Sequence, residues 1–177
     1  MASLVEDDLE PQGSVRVRGL PLGWGLCAIL CLVGAYFGAS KLGDNSFFTH
    51  LATGRIIIDG WSVPSVDPYT YHSAGESWVV QSWLVSVVYA QLDSLIGLWG
   101  VRLFHMLVAI FVAGFTWHLS RDAALAIPRF LVAAVGVTVG VSFWVERPLM
   151  LGLACFCLLW LLVERGPVWA AVPLMWV

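Results

Sequence analysis

The sequence predicts an all-α fold, a polytopic helical membrane protein with interfacial helices in its first outer loop. Hydrophobic residues make up 59% of the 177 residues, charged residues only 12%, and the mean hydropathy is +0.84. Because an average soluble domain carries about 25% charged residues, this chain has too few polar groups to cover a folded surface in water. Apolar runs of membrane length recur along the chain, and the one long polar stretch, residues 41–77, directly follows the first of them.

The chain begins with a charged leader and a first apolar run. Residues 1–19 have no apolar periodicity and are predicted to be a disordered cytoplasmic leader. Residues 20–40 are long enough to cross a hydrocarbon core of about 30 Å as a helix. Arg16 and Arg18 precede this run, so the positive-inside rule places the N-terminus in the cytoplasm. The run exceeds the about 7–15 apolar residues of a secretory signal, which favours an uncleaved signal-anchor over a cleaved signal peptide.

Residues 41–97 are predicted to form an outer loop that carries two interfacial helices. Asp44 and its polar neighbours supply N-cap oxygens for the first helix, over 45–59, whose apolar flank is typical of a helix lying in the membrane interface. Residues 79–92 have two interpretations, a short spanning helix or a second surface helix. As a helix they would reach only about 21 Å, and the distribution of Lys and Arg also favours the surface helix.

The remainder, residues 98–177, is predicted to consist of transmembrane helices. Their expected limits are about 98–119, 130–145, 149–163 and a truncated 168–177. The last of these would be half a helix with unsatisfied carbonyls in mid-bilayer. The sequence is therefore expected to be the N-terminal part of a longer protein or a truncated gene product.

Several residue types suggest chemistry but also have ordinary structural roles. Cys27 and Cys31 share a helix face, yet no His, Asp or Glu lies beside them, so buried thiols are favoured over a zinc site. Asp67 precedes a proline and is typical of a turn. Arg147, between two short apolar runs, needs a partner or water, and its neighbour Glu146 is a candidate partner. No basic patch indicates a nucleic-acid partner.

A family resemblance rests on the polar stretch and a downstream Arg-Pro element. The sequence resembles a group of bacterial multi-spanning membrane proteins, and that group is similar to the GT-C superfamily of polyprenyl-phosphate-sugar-dependent membrane glycosyltransferases. The resemblance covers about residues 20–177. Its elements are Asp44, Phe48, His50, Thr53-Gly54-Arg55, Gly60, Pro64, Asp67-Pro68-Tyr69, Trp83-Leu84 and Glu146-Arg147-Pro148.

The resemblance implies an enzyme of the bacterial cytoplasmic membrane that takes a polyprenyl-phosphate-linked sugar at its outer face, with membrane lipid as its other partner. Asp44 would be a general base or would hold a divalent metal ion, and His50 would assist proton transfer. The alternative is a non-catalytic membrane protein, a transporter part or an assembly subunit, in which the loop only packs. The residues expected to bind the lipid-linked substrate are Arg55, Asp67, Arg102 and Arg147.

Overall fold

The fold is all-helical in the part of the chain that the structure, a computed structural model, describes: residues 21–72, 74–144, 147–166, 169 and 172. The predicted all-α class is confirmed for these residues, in which an isolated bridge between Val66 and Ser77 is the sole extended pairing. The predicted leader, Glu146 and most of 168–177 lie outside the described residues. The helices are α1 (Leu22–Gly38), α2 (Phe47–Gly60), α3 (Trp83–Ile96), α4 (Leu98–Leu119, followed by the 3₁₀ turn Ser120–Asp122), α5 (Ala126–Val141) and α6 (Pro148–Arg165).

Two helices begin four residues away from their predicted starts, and the other described helices begin within two residues of theirs. The second loop helix starts at Trp83 rather than at 79, because Trp78 donates its backbone N–H to the Ser65 carbonyl at 2.8 Å and keeps the chain extended there. Helix α5 starts at Ala126 rather than at 130, with Pro128 inside its first turn. Proline is tolerated there because the first N–H groups of a helix have no intrahelical partner.

Helix α4 is the centre of the bundle, since it contacts α1, α3, α5 and α6. Its closest neighbour is α1. A Cβ atom on Gly34 would lie 2.8 Å from the Ala109 carbonyl oxygen, and one on Gly38 would lie 2.8 Å from the His105 carbonyl oxygen. The two backbones therefore meet through glycines on α1 and small residues on α4. Gly23, at the other end of α1, lies near Trp117, so the two helices run antiparallel.

Helices α2 and α3 form a separate layer near the N-terminal end of α4. They pack against each other, and α3 also packs on α4. Gly54 allows this approach, because a Cβ atom there would lie 1.8 Å from the Ser86 carbonyl oxygen. The apolar side chains buried in this layer are Phe47, Leu51, Val85, Tyr89, Ala90 and Val101.

Two helices of the described chain are long and apolar enough to cross a membrane: α4 with its 3₁₀ extension, and α6. Helices α1, α3 and α5 are apolar but shorter. Only 11% of the apolar stretch of α6 is buried inside the protein. Several of its large apolar side chains, among them Leu149, Phe156 and Val163, are exposed.

The α1–α4 contact predicts a clear difference between two glycines of the same helix. Gly34→Ala should lower the free energy of unfolding by about 1–3 kcal/mol, because its methyl group has no space against α4. Gly25→Ala is the matched control, since no atom lies within 4 Å of a Cβ there, and it should be neutral or stabilising by up to about 1 kcal/mol. Thermal unfolding in detergent measures both. Equal midpoints for the two variants would refute this packing.

Candidate functional site

An ion pair at the α2–α3 end joins Asp44, just before α2, to Arg147, just before α6. Arg147 Nε lies 2.6 Å from Asp44 Oδ2. The other oxygen, Oδ1, accepts the Ser46 backbone N–H at 2.8 Å and also the Ser46 hydroxyl. The Asp44 side chain is only 7% exposed, whereas that of Arg147 is 60% exposed. Asp44 is therefore a partner of Arg147, whereas the candidate partner from the sequence, Glu146, lies outside the described residues.

These contacts determine the protonation of Asp44. The Ser46 hydroxyl, followed by Arg147, lowers its pKa to about 2 and outweighs the opposing effect of burial. A carboxylate with this pKa is ionised at neutral pH and is a weak proton acceptor. The geometry therefore favours Asp44 as the group that holds Arg147 over the general base suggested by the sequence.

His50 lies on α2 and lines a neighbouring cleft. Its Nδ1 is 3.1 Å from the Ser86 hydroxyl of α3. Burial lowers the pKa of His50 below 6.5, and the nearby charge of Asp44 offsets only part of this shift. The imidazole is therefore neutral at pH 7 and able to accept a proton. The cleft has a volume of about 430 Å³ and is lined by Thr49, His50, Thr53, Trp78, Val79, Val80 and Gln81.

The other three predicted substrate-binding residues make contacts of their own. Arg55 pairs with Asp93 of α3 at 2.6 Å. Asp67 accepts the backbone N–H groups of the turn that follows it, as its position before a proline predicted. Arg102 donates to the Ala39 carbonyl oxygen at 2.6 Å and stacks on Trp99. The structure thus brings Asp44, His50 and Arg147 to one place, and it engages the other three in local contacts.

A second cleft, about 400 Å³ in volume, lies between the first turns of α3 and α6. The N-terminal turn of a helix has backbone N–H groups without intrahelical partners and carries the positive end of the helix dipole. Neither helix has a side-chain cap. The Arg147 guanidinium, on the residue before α6, adds a positive charge that is paired with the Asp44 carboxylate. The lining residues are Ser82, Trp83, Leu84, Val85, Pro148, Leu149, Leu151 and Gly152.

The sequence analysis missed Ser82 and Ser86 in this region, and it named Pro148 without placing it at a helix start. Ser82 precedes α3 in a left-handed conformation, with φ of 56°. Ser86 is fully buried on an otherwise apolar face of α3. A lone serine in an apolar run could have indicated a polar partner, because buried hydroxyl groups usually form hydrogen bonds. Pro148 is the first residue of α6, and the preference of proline for that position could have indicated that a helix N-terminus follows Arg147.

The residues around Asp44 do not fit the divalent metal ion that the resemblance implied. Both carboxylate oxygens already accept hydrogen bonds from Ser46 and Arg147. No group of three or more His, Cys, Asp or Glu side chains placed to hold a metal occurs in the described ranges. A cation would also compete with the adjacent guanidinium for the same carboxylate.

Comparison with known proteins found no matching family model, no similar curated protein and no similar solved structure.

The Asp44–Arg147 ion pair predicts coupled effects on stability. Arg147→Gln should cost about 1 kcal/mol at pH 7, which lowers the unfolding midpoint by about 2–4 °C for a chain of this size. In the Asp44→Asn background the same change should cost much less, because its partner is already gone. Lys41→Gln, an exposed cation at the same end, is the control.

The same pair predicts a pH dependence. The folded pKa of Asp44 lies below its unfolded value, so its contribution is complete above about pH 4 and is lost as the pH falls toward 2. The stability difference between wild type and Asp44→Asn should shrink over that window. Strictly additive mutations and a difference independent of pH would contradict the ion pair.

His50 predicts an effect nearer neutral pH. Its folded pKa is lowered, so protonation favours the unfolded chain and stability should fall as the pH drops below about 6.5. NMR titration of the imidazole, assigned with His50→Gln, should give a pKa below that of a model histidine. Ser86→Ala is a second variant, which removes the hydroxyl that forms a hydrogen bond with Nδ1 of His50. A pKa at or above 6.5 in the wild type would contradict the burial of this ring.

Proposed function

We propose that this protein is a multi-pass membrane protein that binds a polyprenyl-phosphate-linked sugar at its α2–α3 end and transfers the sugar, as glycosyltransferases of the GT-C type do. The observation that carries the proposal is the cleft between the first turns of α3 and α6, next to Arg147. Two helix N-termini and a guanidinium are a favourable environment for a phosphate.

The membrane part of the proposal rests on the helices. Helices α4 and α6 have sufficient length and hydropathy to span, and α6 presents its apolar side chains outward. Close packing through glycine and alanine, as between α1 and α4, is characteristic of helix association in lipid. Arg121, Arg129 and Arg165 all lie at the end of the bundle opposite to the clefts. Arg16 and Arg18 precede α1, which begins at that same end near Trp117, so five cations stand against the four of the cleft end, Lys41, Arg55, Arg102 and Arg147. The positive-inside rule then assigns the former end to the cytoplasm and the clefts to the outer face of the bacterial cytoplasmic membrane.

The order of elements supports the GT-C comparison. An acidic residue early in the first outer loop, followed by two surface helices, is the arrangement expected from the resemblance. Here Asp44 comes directly before α2, and α2 and α3 pack together before the chain enters α4. In this proposal Asp44 holds and orients Arg147, which binds the phosphate.

The two clefts suggest a division of roles in the transfer. The cleft beside α6 would hold the lipid-linked phosphate, and the cleft beside His50 would hold the acceptor. They border consecutive stretches of chain, Trp78–Gln81 and Ser82–Val85. In the reaction the acceptor oxygen bonds to the anomeric carbon, the bond from that carbon to the phosphate oxygen breaks, and His50 takes the acceptor proton. The lipid phosphate leaves with its charge compensated by Arg147.

A binding measurement tests the phosphate site. Arg147→Gln should weaken binding of a fluorescent polyprenyl phosphate to the detergent-purified protein by about tenfold or more, as expected for the loss of a charge-assisted contact worth about 1.5–3 kcal/mol. Lys41→Gln is the matched control, because it removes an exposed cation at the same end. Unchanged binding by Arg147→Gln would refute the phosphate cleft.

A transfer assay separates the enzyme from a non-catalytic membrane protein. His50→Gln should retain binding of the polyprenyl phosphate but lose at least about 100-fold in transfer from a radiolabelled polyprenyl-phosphate sugar, the range for loss of a general base. Asp59→Asn, an exposed carboxylate on the same helix, is the control. Wild-type membranes that bind the lipid phosphate without any transfer would favour the transporter or assembly-subunit alternative.

A further inference from the structure

A second polar cluster lies at the opposite end of the bundle, where α4 and α6 finish. Glu164 accepts from the Arg121 guanidinium and lies 3.1 Å from His118 Nε2. The guanidinium of Arg165 lies 3.3 Å from His118 Nδ1. The cluster therefore brings two arginines from two helices onto one imidazole and one carboxylate.

Among the residues that the structure describes, the cluster leaves one cation without an acidic partner. Glu164 is engaged by Arg121 and His118, whereas Arg165 contacts only the His118 ring among the described residues. Both arginine side chains are accessible from outside, with Arg121 45% exposed. Arg129, on the first turn of α5, adds a third guanidinium at this end. Positive charge thus exceeds negative charge here, since only Asp122 accompanies Glu164 among the described carboxylates of this end.

An apolar cleft leads directly into this cluster. It runs along the outer side of α6, has a volume of about 390 Å³, and reaches Glu164 at one end. Trp160 and Phe156, which lie in tilted contact, form much of its wall. Its lining residues are Phe156, Leu159, Trp160, Val163 and Glu164.

We propose that this arrangement is a binding site for an anionic phospholipid. The phosphate would bind Arg165 and Arg121, and an acyl chain would lie in the cleft along α6. The geometry matches such a lipid because the apolar wall ends at Glu164, whose carboxylate is already paired with Arg121 and His118, and the guanidinium of the next residue, Arg165, has no acidic partner among the described residues. The inference uses the membrane orientation proposed above, in which this end faces the cytoplasmic leaflet where anionic lipids attract basic residues. It does not depend on sugar transfer or on the phosphate cleft.

Native mass spectrometry of the full chain, released from detergent with added lipid, tests the site. The probes are dioleoyl phosphatidylglycerol and, as the uncharged reference, dioleoyl phosphatidylcholine. Wild type should retain phosphatidylglycerol several-fold more than phosphatidylcholine. Arg165→Gln should abolish this preference, and it breaks no ion pair of the described chain. Lys41→Gln removes one cation at the other end and should retain the preference.

Two further measurements distinguish a lipid phosphate from inorganic phosphate and test the role of the cleft along α6. Inorganic phosphate should not displace the retained lipid, because it lacks the acyl chain. Trp160→Ala should lower retention about two- to threefold without changing the unfolding midpoint, since the indole is half exposed. Equal retention of both lipids by wild type, an unchanged preference in Arg165→Gln, or full displacement by inorganic phosphate would each overturn the proposal. Loss of polyprenyl phosphate binding in Arg147→Gln bears on the other site alone.

Discussion

The close approach of α1 and α4 is the constraint on which the rest of the bundle depends. Gly34 and Gly38 let the two backbones meet, and a side chain at either position would collide with α4. Helix α4 in turn supports α3, α5 and α6. Asp44 follows Gly38 after a short connection, and Arg102 of α4 holds that connection through the Ala39 carbonyl oxygen. The position of Asp44 is therefore set by the packing of α1 against α4.

Helix α6 is held in a different way. It has little buried surface and packs on α4 alone among the helix pairs in substantial contact. Its two ends are tied by ion pairs, Arg147 with Asp44 at one end and Glu164 with Arg121 at the other. Such pairs are worth little in water because solvent screens them. In the membrane orientation proposed above they would carry more weight, because the apolar face of α6 would gain little by leaving lipid for other helices.

The lengths of the apolar runs predicted much of this fold. Particular hydrogen bonds and one ion pair determine the features that the sequence did not predict. The helix expected over 98–119 coincides with α4. A long apolar run that starts directly after Gly97 defines where this helix begins. The start of α3 was misplaced because a backbone hydrogen bond from Trp78 to Ser65 is invisible to periodicity. The pairing of Asp44 with Arg147 spans 103 positions, and no local pattern encodes it. Sequence reasoning could name both residues as candidates but could not place them together.

The protonation of the site follows from which groups are paired. Asp44 has a serine hydroxyl and a guanidinium against its carboxylate, so its pKa falls and it acts as a fixed anion. His50 is partly removed from water, and its pKa also falls, so it stays neutral. The two groups therefore have complementary roles. The Asp44 carboxylate orients the Arg147 guanidinium, and the neutral His50 imidazole can accept a proton. In the function proposed above, the two uncapped helix N-termini that border the cleft, together with the adjacent Arg147, would supply positive potential for a phosphate without a metal ion.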